Sequence, residues 1–101
     1  MDLMKFMDKL YTTDSNFKIV RNKYYYGYDK NNGIESDPSR YRYLMMYKNK
    51  AIMKLTPPDH YYPVWSVNIA QPVDNMHLIE LVINLLPQSE TFLFESETEL
   101  C

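Results

Sequence analysis

The sequence predicts an α+β domain: an N-terminal helix, an antiparallel sheet of about four strands, and a C-terminal helix packed on the sheet. Three observations carry that prediction. Apolar residues recur at three- and four-residue spacing near the start, strand-forming residues crowd the middle, and a second apolar segment of helical length lies between Pro72 and Pro87. A chain of 101 residues fits one domain, with residues 1–90 as the folded core and 91–101 as an acidic tail.

The elements follow in order. In residues 2–11, Leu3, Phe6, Met7, Leu10 and Tyr11 fall on one side of a helix, with Asp2, Lys5, Asp8 and Lys9 mostly elsewhere. FKIVRNKYYYGY, 17–28, has the β-branched and aromatic content of a strand, and DKNNGIESDPSR, 29–40, has the Asn, Gly, Asp, Pro and Ser of a long loop. YRYLMMYKNKAIMKL, 41–55, reads as two strands around a turn. A three-residue turn at Lys48 to Lys50 segregates charge and is therefore expected over a two-residue one. It places Tyr43, Met45, Tyr47, Ala51, Met53 and Leu55 on one face, and Arg40, Arg42, Lys50 and Lys54 with Leu44, Met46 and Ile52 on the other.

TPPDHYYP, 56–63, has three prolines that cannot donate to a ladder, so it is a connection. VWSVNIA alternates, with Trp65, Val67 and Ile69 facing the core and Trp65 as its central aromatic. NMHLIELVINLL, 75–86, is a helix with Asp74 as N-cap, Pro87 as stop, and His77, Glu80 and Asn84 on a narrow polar stripe. The tail places Thr91 to Phe94 between Glu90 and the acids Glu95, Glu97 and Glu99, which suits either an edge strand or an unstructured peptide.

The net charge of −2 conceals a split. Residues 1–54 hold all eleven Lys and Arg against six acidic residues, a balance of +5, whereas residues 55–101 hold seven acids and no base, a balance of −7. Such a chain presents either a dipolar surface or two halves that neutralise each other. The single cysteine, Cys101, excludes an intrachain disulfide and suits a reducing compartment. Charges interrupt the N-terminal apolar residues, unlike a signal peptide, and the apolar run at 78–86 is about half a bilayer span. A cytoplasmic protein is expected.

Catalytic, metal and cofactor motifs are lacking. His60 and His77 stand outside any metal-ligand spacing, and the two glycines, Gly27 and Gly33, make no phosphate-binding loop. The candidates are instead surfaces. Lys18, Arg21, Lys23, Tyr24, Tyr26, Tyr28, Arg40 and Arg42 interleave rings with cations, an arrangement used for protein anchors and for stacking single-stranded bases, although tyrosines in a strand also serve as a core wall. A secondary candidate is Phe92, Phe94, Glu95, Glu97 and Glu99, where apolar rings among carboxylates dock into a basic groove or imitate a row of phosphates.

These features predict a non-enzymatic protein-interaction module, monomeric or homodimeric, without cofactor or metal. Its expected partner is a protein such as a host nucleic-acid enzyme. In general character, though in no residue motif, the chain resembles small proteins of phages and mobile elements, anti-CRISPR proteins among them. The alternative is a single-stranded DNA or RNA binder using the Tyr/Arg/Lys face, and a third reading is a small ribonuclease that leaves no motif.

Overall fold

The computed structural model describes residues 1–23, 41–58 and 63–98. Helix α1, Leu3–Thr13, leads into strands β1, Phe17–Lys23, β2, Tyr41–Tyr47, β3, Lys50–Thr56, and β4, Trp65–Ala70; helix α2, Met76–Leu85, and strand β5, Phe92–Glu97, follow. The class is α+β, as the sequence predicts. The sheet has five strands in the order β1-β2-β3-β4-β5, antiparallel except that β5 runs parallel to β4. That departure from an all-antiparallel sheet comes from α2, because a parallel neighbour needs a long crossover and the helix supplies it.

Both helices contribute to one core on one side of the sheet. Phe6 and Leu10 of α1 and Ile79 and Val82 of α2 cluster with Phe17, Met45, Met53, Leu55, Trp65 and Val67. Strand alternation sends these β-residues to the same face, as the pairs Met45↔Met53 and Leu55↔Val67 require. Trp65 is buried and lies 6.5 Å, centroid to centroid, from Tyr43. The buried stripe of α1 is narrower than its periodicity suggests: Phe6 and Leu10 are buried and Leu3 is half-buried, whereas Met7 and Tyr11 are exposed. Asp2 caps α1 by accepting from the Met4 and Lys5 amides at 3.1 and 3.2 Å.

Two local expectations are corrected. The β2–β3 turn has two residues, Lys48 and Asn49, with φ of 48° and 66°, so that Tyr47 pairs with Lys50. Positive φ at both central positions matches the right-handed twist of a hairpin. A register shift between Met45 and Met46 then leaves Ile52 as an extra residue, since Met46 pairs with Ala51 but Met45 with Met53. This bulge keeps Met45, Met53 and Leu55 on the core face, lets Ile52 pack against the core, and draws Lys50 away from its expected face to an ion pair with Asp74. Asp74 is thus engaged, and Asn75 caps α2, accepting from the His77 and Leu78 amides at 3.0 and 3.4 Å.

Candidate interaction surface

The helices cover one face of the sheet, and residues of opposite parity form the other. Lys18 and Asn22 of β1, Arg42, Leu44 and Met46 of β2, Lys54 of β3, Asn68 of β4, and Leu93, Glu95 and Glu97 of β5 belong to this second face, as the register pairs show. Because strand order follows chain order, the charge split becomes a lateral gradient. Cations occupy β1 to β3, and carboxylates occupy β5.

Among the described residues, three ion pairs join the two halves of the chain. Lys50 meets Asp74 at an exposed site, the Met1 ammonium meets Glu90 Oε1 at 2.6 Å, and Lys54 Nζ lies 2.9 Å from Glu97 Oε2. The last is the most constrained, because Lys54 is 8 % exposed and reaches from β3 past β4 to β5. Glu97 Oε2 lacks hydrogen-bond geometry, yet the ammonium at 2.9 Å compensates its charge; Glu90 Oε2 is buried with no donor. The halves therefore neutralise each other along the seam and keep opposite signs at the two edges.

Among the described residues, the basic candidates divide between the two faces of the sheet. Lys18 is exposed and Arg42 half-buried on the helix-free face, whereas Arg21 points to the other face, its guanidinium carbon 4.5 Å from the centroid of Tyr41. The backbone of Lys23 ends β1 opposite Tyr41. Tyr24, Tyr26, Tyr28 and Arg40 lie outside the described residues, as do His60, Gly27, Gly33 and Glu99.

The acidic candidates gather on one strand. Residues Phe92–Glu97 of the tail form β5, which pairs with β4 and has no other strand neighbour among the described residues. Phe92 is half-buried against the core, but Leu93 and Phe94 are 40 % and 45 % exposed. Phe92 and Phe94 lie 6.4 Å apart and line a groove of about 230 Å³ with Ile83, Leu86, Pro87, Gln88 and Glu90. Exposed Glu95 accepts from Asn68 Nδ2 at 3.4 Å, while Glu97 is held by Lys54, so the row of carboxylates contains one bound and one accessible member. Leu93, which alternates with the two phenylalanines of FLF, lies on the helix-free face.

A concavity of about 560 Å³ lies between α1 and the β2–β3 turn, lined by Met7, Tyr11, Phe17, Lys18, Met46 and Lys48 among others. Among the described residues there is no cluster of three or more His, Cys, Asp or Glu side chains arranged to hold a metal, and no helix long and apolar enough to cross a membrane. No family model, curated protein or solved structure matches the chain. The described residues form a five-stranded mixed sheet covered on one face by two helices, with basic β1 at one end of the strand order and apolar, acidic β5 at the other.

Proposed function

We propose that this protein is a non-enzymatic interaction module of the cytoplasm that binds and inhibits a nucleic-acid enzyme of a host cell, in the manner of small phage and mobile-element inhibitors. The observation that supports this reading is the β5 edge, where Leu93 and Phe94 stand exposed beside Glu95. Large apolar side chains on a strand whose outer edge has no strand neighbour among the described residues are costly to leave in water and invite strand pairing, so their presence is best accounted for by a partner. Enzymes that handle nucleic acid carry basic surfaces, and an acidic edge complements them electrostatically.

The test is capture of an enzyme of this class from a bacterial lysate by wild-type protein and by Phe94→Ser, followed by assay of the captured enzyme. Capture and inhibition by wild type, both lost in the variant, support the reading; equal capture by both removes β5 from it. A second reading, single-strand binding, draws on Arg21 stacked over Tyr41. Its signature is affinity for a labelled oligonucleotide that falls steeply between low and high salt.

A further inference from the structure

Resting on the reading of β5 as the partner-facing edge, we propose that its ligand is an extended protein segment of alternating apolar and basic residues, which adds to the sheet as a sixth strand. A strand laid along β5 directs alternate side chains to opposite faces. On the helix side it meets Phe94 and the groove bounded by Ile83, Leu86 and Pro87, which suits aliphatic or aromatic side chains. On the helix-free side it meets Leu93 and Glu95, with Glu97 beyond, which suits the long stems and cationic heads of Lys and Arg. The ligand's binary pattern is thus the complement of β5 itself.

Charge decides against β5 of a second copy. FLFESE carries two carboxylates and no cation, so pairing two such strands offers neither an opposite charge. The β1 edge of another copy does carry Lys18 and Arg21, but joining β1 to β5 is head-to-tail, an interface that cannot form a two-fold dimer and yields a ring or an open filament. A separate protein with a basic strand satisfies both constraints.

The probe is a labelled synthetic peptide of alternating valine and lysine, titrated into the full chain and followed by fluorescence polarisation. Three comparison peptides replace lysine by glutamate, replace every second backbone amide by its N-methyl form on one edge, or do so on the other edge. The valine–lysine peptide is expected to bind at least about tenfold tighter than the valine–glutamate one. N-methylation of one edge should abolish binding while the other edge tolerates it, because only one edge faces β5. Glu95→Lys should weaken the lysine peptide and improve the glutamate peptide, and Phe94→Ser should weaken both. Glu95→Lys should keep the melting temperature of wild type, since its side chain is exposed, and Phe94→Ser should lower it only by the share of the ring that packs beside Phe92 while the domain stays folded.

Equal binding after methylation of either edge would reduce the contact to loose electrostatics and overturn the added strand. Reversible self-association of the wild-type protein in sedimentation, lost in Phe94→Ser, would assign the edge to another copy and overturn the proposal. If wild type captures and inhibits an enzyme through Phe94 but neither valine peptide binds, the ligand pattern is wrong while the interaction reading stands. Peptide binding without any captured enzyme supports the strand-accepting edge and counts against the host-enzyme target alone.

Discussion

Tyr47 donates its phenolic hydrogen to Asp14 Oδ2 at 2.6 Å, so the residue that ends α1 is held by the strand before the hairpin turn. Asp14 is the C-cap of α1, its amide donating to Leu10 O at 2.8 Å, and its Oδ1 accepts from the amide and side chain of Asn16. Phe17 packs edge-on against the Tyr47 ring at 4.8 Å. One carboxylate thereby sets the angle between helix, turn and sheet.

This contact predicts a pH dependence at both ends of the range. The hydrogen bond from Tyr47, with the Asn16 amide second, holds the Asp14 carboxyl below its ordinary value, and the same bond raises the Tyr47 phenol. A depressed carboxylate contributes stability above its unfolded pKa and loses it as pH falls through the folded one; a raised phenol contributes below its unfolded pKa and loses it as pH climbs. Tyr47→Phe should therefore melt lower than wild type between about pH 4 and about pH 10, with the difference shrinking outside that window. Melting curves of both proteins across pH measure it, and a constant difference would show that the Tyr47–Asp14 bond is not linked to the ionisation of either group.

Glu97→Gln should destabilise the domain by roughly 1–3 kcal/mol, since it leaves the buried Lys54 ammonium without its counter-charge while Glu97 itself is partly solvated. Replacing both, Lys54→Met with Glu97→Leu, should recover most of that loss, because removing an ion pair outright also removes its desolvation cost. Urea unfolding of Glu97→Gln, of the single variants Lys54→Met and Glu97→Leu, and of their combination tests the pair. Additive effects in the double variant would mean that Lys54 and Glu97 act separately.

Lys48 and Asn49 both adopt positive φ, a conformation that suits asparagine and glycine better than lysine. The double change Lys48→Asn with Asn49→Gly should stabilise the hairpin by about 0.5–1 kcal/mol. A fall in the urea midpoint would indicate that the Lys48 ammonium, 5.6 Å from the Tyr47 ring centroid, contributes more than the backbone gains.

Leu10→Ala should cost about 2–5 kcal/mol, the range for an aliphatic side chain fully enclosed in a core. Deleting residues 1–11 should be worse, because Phe6 and Leu10 are the buried residues of α1 and their loss uncovers the sheet. A cooperative transition at the wild-type temperature after the deletion would make α1 dispensable.

Much of this architecture is legible in local pattern. The three- and four-residue period places α1, the alternation of Trp65, Val67 and Ile69 places β4, and prolines at 72 and 87 bracket α2. The charge split is likewise a property of the chain, and sequential strand order carries it into space. These features depend on neighbours a few residues apart, where side-chain direction repeats every 2 or 3.6 residues.

Only the tertiary structure decided which edge the last strand joins, in which direction, and what each charge meets. The parallel β4–β5 pair depends on α2 packing across the sheet; the bulge at Ile52 depends on matching a two-residue turn to a buried Met45–Met53 pair. Lys54 finds Glu97 at a separation of 43 residues, and Tyr47 finds Asp14 at 33. No sequence period encodes such contacts, because their energy exists only once the strands and helices between them have packed.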